Sequence, residues 1–335
     1  MARFNYKKGD YIQGSLFDFS TSDIEESIEG GYDEKSPIEG NSELATPIGD
    51  IEKSDIIKFI SFGSGSSGNC SYIGNNSVGF LIDAGVDIKK VEAGLKLNNI
   101  NPDKILGICL THDHGDHIHY AYSFLRKYKH WVLFCTNRVM NGILRRHNIS
   151  RRIKDYHKPI FKEIPFMLGG FEVTAFEVMH DGSCNSGFSI ALGDVKFCLA
   201  TDLGCITDRV RHYMSEANYL VVEANYDADM LTNGMYPEYL KNRIRANNGH
   251  LDNIDAAEFL ADIYNKHLKY IFLCHLSKDN NTPEKARESV TRALTEKGIT
   301  VGEGKESLSD NNKDVQLVVL PRYDITPCYH FRVKY

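Results

Sequence analysis

From Ile56 onward the apolar positions fall into short runs, some alternating with a period of two, separated by stretches with a helical period. This pattern predicts strands at 56–62, 78–83, 105–110 and 131–135, with helices at 88–97, 120–126 and 139–146 between or after them. Residues 171–178 alternate as a half-buried strand, and 187–192 with 195–200 read as a hairpin turning at Gly193-Asp194. Further on come a buried strand at 219–223, a helix at 252–264 with an Asp or Asn cap, and a strand at 270–274. Thr282-Pro283 then supplies a cap and first-turn proline for a helix stopping at Gly298, and a loop at 302–313 leads to a strand at 315–320. Strands and helices thus alternate through two similar halves, an α/β arrangement in which helices must cover both faces of a layered core.

Residues 20–54 break this pattern. They are rich in Ser, Gly, Asp and Glu and carry isolated apolar residues with no period, so they lack the material for a core. The organisation expected is a disordered acidic tail, 1–54, and one catalytic domain, 55–335. The tail holds twelve acidic and five basic residues, a net −7 within a chain total of −6, which leaves the body at +1. A nearly neutral body argues against strong nonspecific nucleic-acid binding but leaves room for a local basic groove. Two runs fit one: 145–154, with five Lys/Arg in ten residues, and 241–245, with three. No apolar run approaches membrane-spanning length and the N-terminus lacks a signal-peptide core, so a cytoplasmic protein without a membrane partner is expected. The eight cysteines form no C-x-x-C pair and lie mostly in strand-like runs, which reads as reduced, buried thiols.

The chemistry concentrates after the strand at 105–110, in Thr111-His112-Asp113-His114-Gly115-Asp116-His117. His112, His114, Asp116 and His117 are four possible ligands within six residues, placed where the chain leaves a sheet. Imidazole with carboxylate suits Zn, Mn or Fe, and a set without thiolate leaves positions open for water. Two metals need more ligands, and three candidates stand at other strand ends: His180, Asp202 and His275. A lone residue of this kind is more often a loop or core residue; their shared placement is what selects them.

These residues resemble the metallo-β-lactamase superfamily. That resemblance implies a four-layer αββα sandwich of two mixed β-sheets flanked by helices, and a site for two divalent ions. His112, His114 and His180 would hold one ion, Asp116, His117 and His275 the other, with Asp202 bridging and Asp116 and Asp202 serving catalysis. Asp83, with Thr111, would orient the histidine-rich turn. A closer resemblance, to the YycJ/WalJ type, rests on Gly65-Ser-Ser-Gly-Asn-Cys70, Leu81-Ile-Asp-Ala-Gly85, Ala200-Thr-Asp-Leu-Gly204, Arg245-Ala-Asn-Asn-Gly-His-Leu251 and His275-Leu-Ser-Lys-Asp-Asn-Asn-Thr-Pro283. It implies a DNA-directed phosphodiesterase, a 5′ to 3′ exonuclease linked to mismatch repair, in which water activated by the metals attacks the phosphodiester. The ligands alone leave open an RNA-directed nuclease, a thioester or lactone hydrolase of the glyoxalase II kind, and a metal-binding repair scaffold. Tyr226 stands where a histidine is expected, and the 54-residue front extension is unusual for the type, which suggests an added targeting function.

Other candidates follow from position. Ser66, Ser67 and Asn69 in the first loop, with Asn225 and Ser277, can meet a phosphate, and His250 can protonate the leaving oxygen. In the tail, Gln13-Gly-Ser-Leu-Phe17 resembles the short peptide by which bacterial repair proteins dock on the sliding clamp, with Gln13, Leu16 and Phe17 as contacts.

Overall fold

The computed structural model describes residues 56–304 and 312–333. The tail, with Gln13, Leu16 and Phe17, lies outside them. The first half runs β1 (Ile56–Gly63), β2 (Cys70–Gly74), β3 (Gly79–Ile82), α1 (Ile88–Leu97), β4 (Ile105–Cys109), α2 (Gly115–Ile118), α3 (Ala121–Lys127), β5 (Val132–Cys135), α4 (Asn137–Arg146), β6 (His157–Pro159), β7 (Phe166–Leu168) and β8 (Phe171–Glu177). The second runs β9 (Ser186–Leu192), β10 (Val195–Ala200), α5 (Asp208–Ser215), β11 (Tyr219–Glu223), α6 (Ala228–Asn233), α7 (Glu238–Arg245), α8 (Asn253–Ile263), β12 (Tyr270–Cys274), α9 (Pro283–Glu296), β13 (Val301–Gly302), β14 (Val315–Val319) and β15 (Tyr329–Arg332).

Two mixed sheets result, ordered β15-β1-β2-β3-β4-β5-β6 and β13-β14-β12-β11-β10-β9-β8-β7. Their inner faces pack on each other through Phe59, Phe80, Phe171, Phe197 and Phe272, with ring centroids of Phe59 5.0 Å from both Phe197 and Phe272. The outer face of the first sheet is covered by α1, α3 and α4, and that of the second by α5, α8 and α9. Each fully buried aromatic or branched side chain contributes about 1.5–3 kcal/mol through removal from water, so these three apolar layers dominate the stability. The fold is the α/β sandwich with mixed sheets and flanking helices that the motifs imply.

Local chemistry sets the element ends as the sequence predicts. Asp252 accepts hydrogen bonds from the Ile254 and Asp255 N–H groups to start α8 and Thr282 accepts from Lys285 to start α9; α4 starts two residues earlier than expected, where Thr136 accepts from Val139. The β9–β10 hairpin turns at Gly193, whose φ of 57° suits glycine.

Several elements have no clear sequence signature. β2 lies between β1 and β3 and is buried on both faces but for Ser71, so it shows no alternation. β15 closes the first sheet by pairing antiparallel with β1, a contact made only by folding. α6 and α7 bury one residue each, Leu231 and Lys241, and therefore carry no apolar stripe. All eight cysteines are free thiols, and Cys70, Cys109, Cys135, Cys198 and Cys274 are buried. No helix among the described residues is long and apolar enough to cross a membrane.

Candidate metal centre

Strand direction gathers the site. β3, β4 and β5 run parallel in the first sheet. In the second, β8 and β10 share a direction across the antiparallel β9, and β10, β11 and β12 are parallel. Their C-terminal ends deliver Asp83 after β3, the Thr111–His117 turn after β4, His180 after β8, Asp202 after β10, Glu223 at the end of β11 and His275 after β12. Six strand ends thus meet at one rim, where backbone leaves the sheets and side chains can converge.

Possible ligand atoms within 4.8 Å of one another define four overlapping groups: His112, His114 and His180; His112, His117 and Asp202; Asp116, His117 and His275; and Asp202, Glu223, His250 and His275. The first and third are the two ligand sets expected from the sequence. Asp202 stands between them, with Oδ2 3.1 Å from His117 Nε2, and Oδ1 3.5 Å from His180 Nε2 and 3.4 Å from His275 Nδ1.

The imidazoles are oriented by groups that can only accept, or that have already donated. His117 Nδ1 donates to Asp83 Oδ2 at 2.7 Å, and His180 Nδ1 to the Gly249 carbonyl at 2.8 Å. His275 Nδ1 donates to Glu223 Oε1 at 2.8 Å. The Thr111 hydroxyl donates to Asp83 and so accepts from His112 Nδ1 at 2.9 Å. Each bond fixes the ring proton on the nitrogen facing away and leaves the Nε2 lone pair for the centre. His114 is turned the other way: its Nδ1 meets His180 Nε2 at 3.2 Å, and its Nε2 lies 3.3 Å from Asp181 Oδ1.

His112 Nε2 is buried without a polar partner, and His275 Nε2 and Asp202 Oδ2 are buried with only ion contacts, to Asp116 Oδ2 at 3.5 Å and His117 Nε2 at 3.1 Å. Leaving such atoms poorly paired in a protein interior is costly, and their placement in adjoining ligand groups fits divalent cations. The donor set, imidazole and carboxylate without thiolate, fits the same conclusion. Charge in the centre is correspondingly perturbed. Burial lowers His112 well below the ordinary imidazole range and takes His180 down to about 4. For His117 and His275 burial acts the same way, but carboxylates, chiefly Asp202, outweigh it; His117 is held well above its usual value and His275 at about 10.

The turn itself is braced from beneath. Asp83 accepts from the Thr111 N–H at 2.8 Å as well as from its hydroxyl, and it sits at φ 59°. Asp113, fully buried, accepts from Ser183 N and Oγ at 2.8 and 2.7 Å, an approach that Gly142 permits because a Cβ there would lie 2.0 Å from Asp113 Oδ2. Asn69 donates to Asp116 Oδ2 at 3.2 Å, lies 3.0 Å from His117 Nε2, and bonds both backbone groups of Gly65. Its amide is therefore engaged with the metal-site residues and its own loop. Asn225, buried, likewise holds the His275 carbonyl at 2.7 Å, while Ser64 Oγ accepts from the His275 N–H at 2.9 Å. Together they keep His275 in the left-handed region, φ 54°, where a bulky residue persists only under such restraint.

Ser66 and Ser67 are exposed on the β1–β2 loop, and Ser277 is half-buried with its hydroxyl accepting from the Asn280 N–H at 3.2 Å. His250 stands at the rim, its side chain 19% exposed, with Nδ1 2.7 Å from Glu223 Oε1 and 3.9 Å from Asp202. Tyr226 is buried behind the site in a backbone bridge with Asp252, its phenol pushed up to about 12 by burial. Of the two basic runs, 241–245 is largely engaged: Lys241 Nζ bonds the Thr232 carbonyl, Arg243 pairs with Asp181 and Arg245 bonds Thr232 and Glu238. In 145–154, Arg145, Arg151, Arg152 and Lys154 are exposed.

Sequence reasoning missed Glu223 and Asp181. Glu223 is fully buried and serves four donors besides Asn225: the imidazoles of His250 and His275 through Oε1, and the Leu203 and Leu251 N–H groups through Oε2. Its signal is a carboxylate closing an otherwise apolar run, Tyr219–Glu223, in register with Cys274 beside His275. Asp181 follows His180 directly and offered no such signal.

Two facing sheets with a histidine and carboxylate cluster at their shared rim define a metal-dependent hydrolase. A β-lactamase superfamily domain model matches residues 79–272. The chain is 37% identical over 251 residues to the exodeoxyribonuclease YycJ of Bacillus anthracis, covering 75% of this chain and 94% of that protein. It is 32% identical over 248 residues to the exodeoxyribonuclease WalJ of Streptococcus pneumoniae serotype 2, covering 73% and 91%. Among solved structures, the metallo-β-lactamase fold protein YhfI of Bacillus subtilis shares the fold at 14% identity, with a TM-score of 0.58 over 83% of this chain and all of that one. The chain belongs to the metallo-β-lactamase superfamily and is related to the YycJ/WalJ-type exodeoxyribonucleases.

Proposed function

We propose that this protein is a phosphodiesterase acting on DNA, a 5′ to 3′ exonuclease of DNA repair that uses two divalent ions, Zn or Mn. The observation that carries the reading is its likeness to the curated exodeoxyribonucleases across nearly their whole length, together with the two adjoining ligand groups. Two ions in such a site supply a nucleophile at neutral pH and neutralise charge developing on the attacked phosphate. The chain's own residues do the rest. His112, His114 and His180 would hold one ion, Asp116, His117 and His275 the other, and Asp202 would serve both. Glu223 raises the His250 imidazole above its ordinary range against the effect of burial, which suits His250 to hand a proton to the leaving oxygen.

The test is metal-loaded protein against end-labelled duplex DNA, single strands, RNA and a thioester, with Asp202→Ala as control. Release of nucleotides from DNA, lost in the variant, is expected. Thioester turnover without nuclease activity, or full activity in Asp202→Ala, would overturn the assignment, and preference for RNA would change the substrate. We also propose that Gln13, Leu16 and Phe17 dock on a sliding clamp; deleting residues 1–20 is then expected to abolish clamp binding while hydrolysis persists, and undiminished binding would rule it out.

A further inference from the structure

A guanidinium that the metal centre does not use stands beside it. Arg322, in the segment between β14 and β15, donates through Nη2 to the Leu276 carbonyl, one residue beyond His275. Its Nη1 lies 3.4 Å from Ser66 Oγ on the β1–β2 loop. The guanidinium rests on the loop backbone itself: a Cβ on Gly65 would come within 2.7 Å of Nη1. That loop reaches the metal centre from its other side, because Asn69 ties Gly65 to Asp116 and His117, and Ser64 holds the His275 N–H.

The charge of Arg322 is not neutralised. No carboxylate among the described residues lies within ion-pair distance of it; Asp279 acts only from farther away and is engaged by the Tyr236 hydroxyl at 2.8 Å. Arg322 is half-buried, and a half-buried cation with no acidic partner calls for an anion. Its neighbours toward solvent are the exposed Ser66 hydroxyl and the Tyr323 ring, whose centroid lies 5.9 Å from the guanidinium carbon. A planar guanidinium beside an exposed hydroxyl suits the tetrahedral oxygens of a phosphate.

We propose that Arg322, with Ser66, forms a second phosphate-binding point that grips a phosphate of the substrate strand next to the one being cleaved. This rests on the assignment of a DNA phosphodiesterase and specifies how that site takes hold of its substrate. The residues of the point come from two separate parts of the chain, the β1–β2 loop and the segment before β15, with the turn after β12 anchoring Arg322, so only the folded rim assembles it.

The experiment uses the full chain loaded with Mn²⁺ and a 5′-labelled DNA duplex. Arg322→Ala is expected to raise KM about tenfold with a smaller change in kcat, and to reduce the slope of log KM against log salt by about one. Arg322→Lys, which keeps the charge, should recover most of the loss. Ser66→Asp sets a carboxylate beside Arg322 without disturbing the bond to Leu276 and should raise KM similarly, which keeps the test valid should Arg322→Ala fold poorly. Bis(p-nitrophenyl) phosphate carries a single phosphodiester, so its hydrolysis should suffer less than that of DNA. Strands with a 5′-phosphate or a 5′-hydroxyl distinguish the phosphate gripped: equal losses indicate an internal one, a loss confined to phosphorylated strands the terminal one. DNA cleavage with KM and salt slope unaltered in Arg322→Ala and Ser66→Asp would overturn the subsite alone. Wild-type turnover of the small diester with no cleavage of DNA would overturn both the subsite and the reading beneath it.

Discussion

Glu223 Oε1 lies 2.8 Å from Nδ1 of His275, and the same oxygen lies 2.7 Å from Nδ1 of His250. One fully buried carboxylate oxygen therefore sets the ring orientation of both a metal-ligand candidate and the imidazole at the rim. Burial alone would raise Glu223, but the charges and hydrogen bonds of His250 and His275 outweigh it and hold it below its ordinary value.

Replacing Glu223 by Gln puts an amide N–H₂ either against the two imidazole N–H groups or against the Leu203 and Leu251 N–H groups, donor facing donor. Metal affinity should fall about 10–100-fold. Titration with Mn²⁺ or Zn²⁺ under calorimetry measures it, and unchanged affinity would show that Glu223 has no part in holding His275.

Asp181 bears on the first ligand group alone, 3.3 Å from His114 Nε2 and 3.4 Å from His180 Nε2, and is itself held by Arg243 Nε at 2.7 Å. Asp181→Asn is expected to weaken one bound ion and spare the other, lowering metal content from two ions per chain toward one. Metal analysis after dialysis reads this directly. Retention of two ions would refute it.

Protonation should be linked to metal binding in a definite direction. His275 stands at about 10 against an ordinary 6.5, so without metal its proton stabilises the fold fully below pH 6.5, and that contribution fades as pH rises through 10. A metal ion must displace this proton at pH 7, whereas His180, at about 4, is already neutral there. Calorimetry in buffers of different ionisation enthalpy should therefore detect proton release on metal binding, and affinity should strengthen with pH. No release at pH 7 would contradict the arrangement.

Gly85 lets two parts of the site close on each other. A Cβ there would lie 1.6 Å from the Asp116 carbonyl oxygen, backbone that cannot swing aside, so Gly85→Ala must displace the histidine-rich turn. Destabilisation of about 3 kcal/mol, at the upper end of ordinary overpacking, and loss of metal binding are expected. Thermal denaturation with a metal titration checks both; a variant as stable and as metal-competent as the wild type would mean that the turn is freely movable.

Much of this was legible beforehand because the relevant physics is local. Caps such as Asp252 and Thr282, the turn at Gly193 and the alternation of 171–178 act within a few residues of sequence. The strand-end positions of His180, Asp202 and His275 could be read because each follows an apolar run. β2 and β15 could not be read in the same way, since β15 exists only through pairing with β1, more than 260 residues away in the chain. The run at 241–245 read as a candidate for a basic groove, but folding buries Lys241 and pairs Arg243 with Asp181.

By itself, then, the sequence determined which candidate ligands are present: the turn at His112–His117, three strand-end partners and the layered α/β class, all matters of residue type and short-range spacing. Tertiary structure decided the rest. Only parallel strands ending at one rim could bring Glu223 to His250 and His275, Asp181 to His114, and Arg322 to Ser66, because those contacts depend on the register between chain segments that no local pattern encodes.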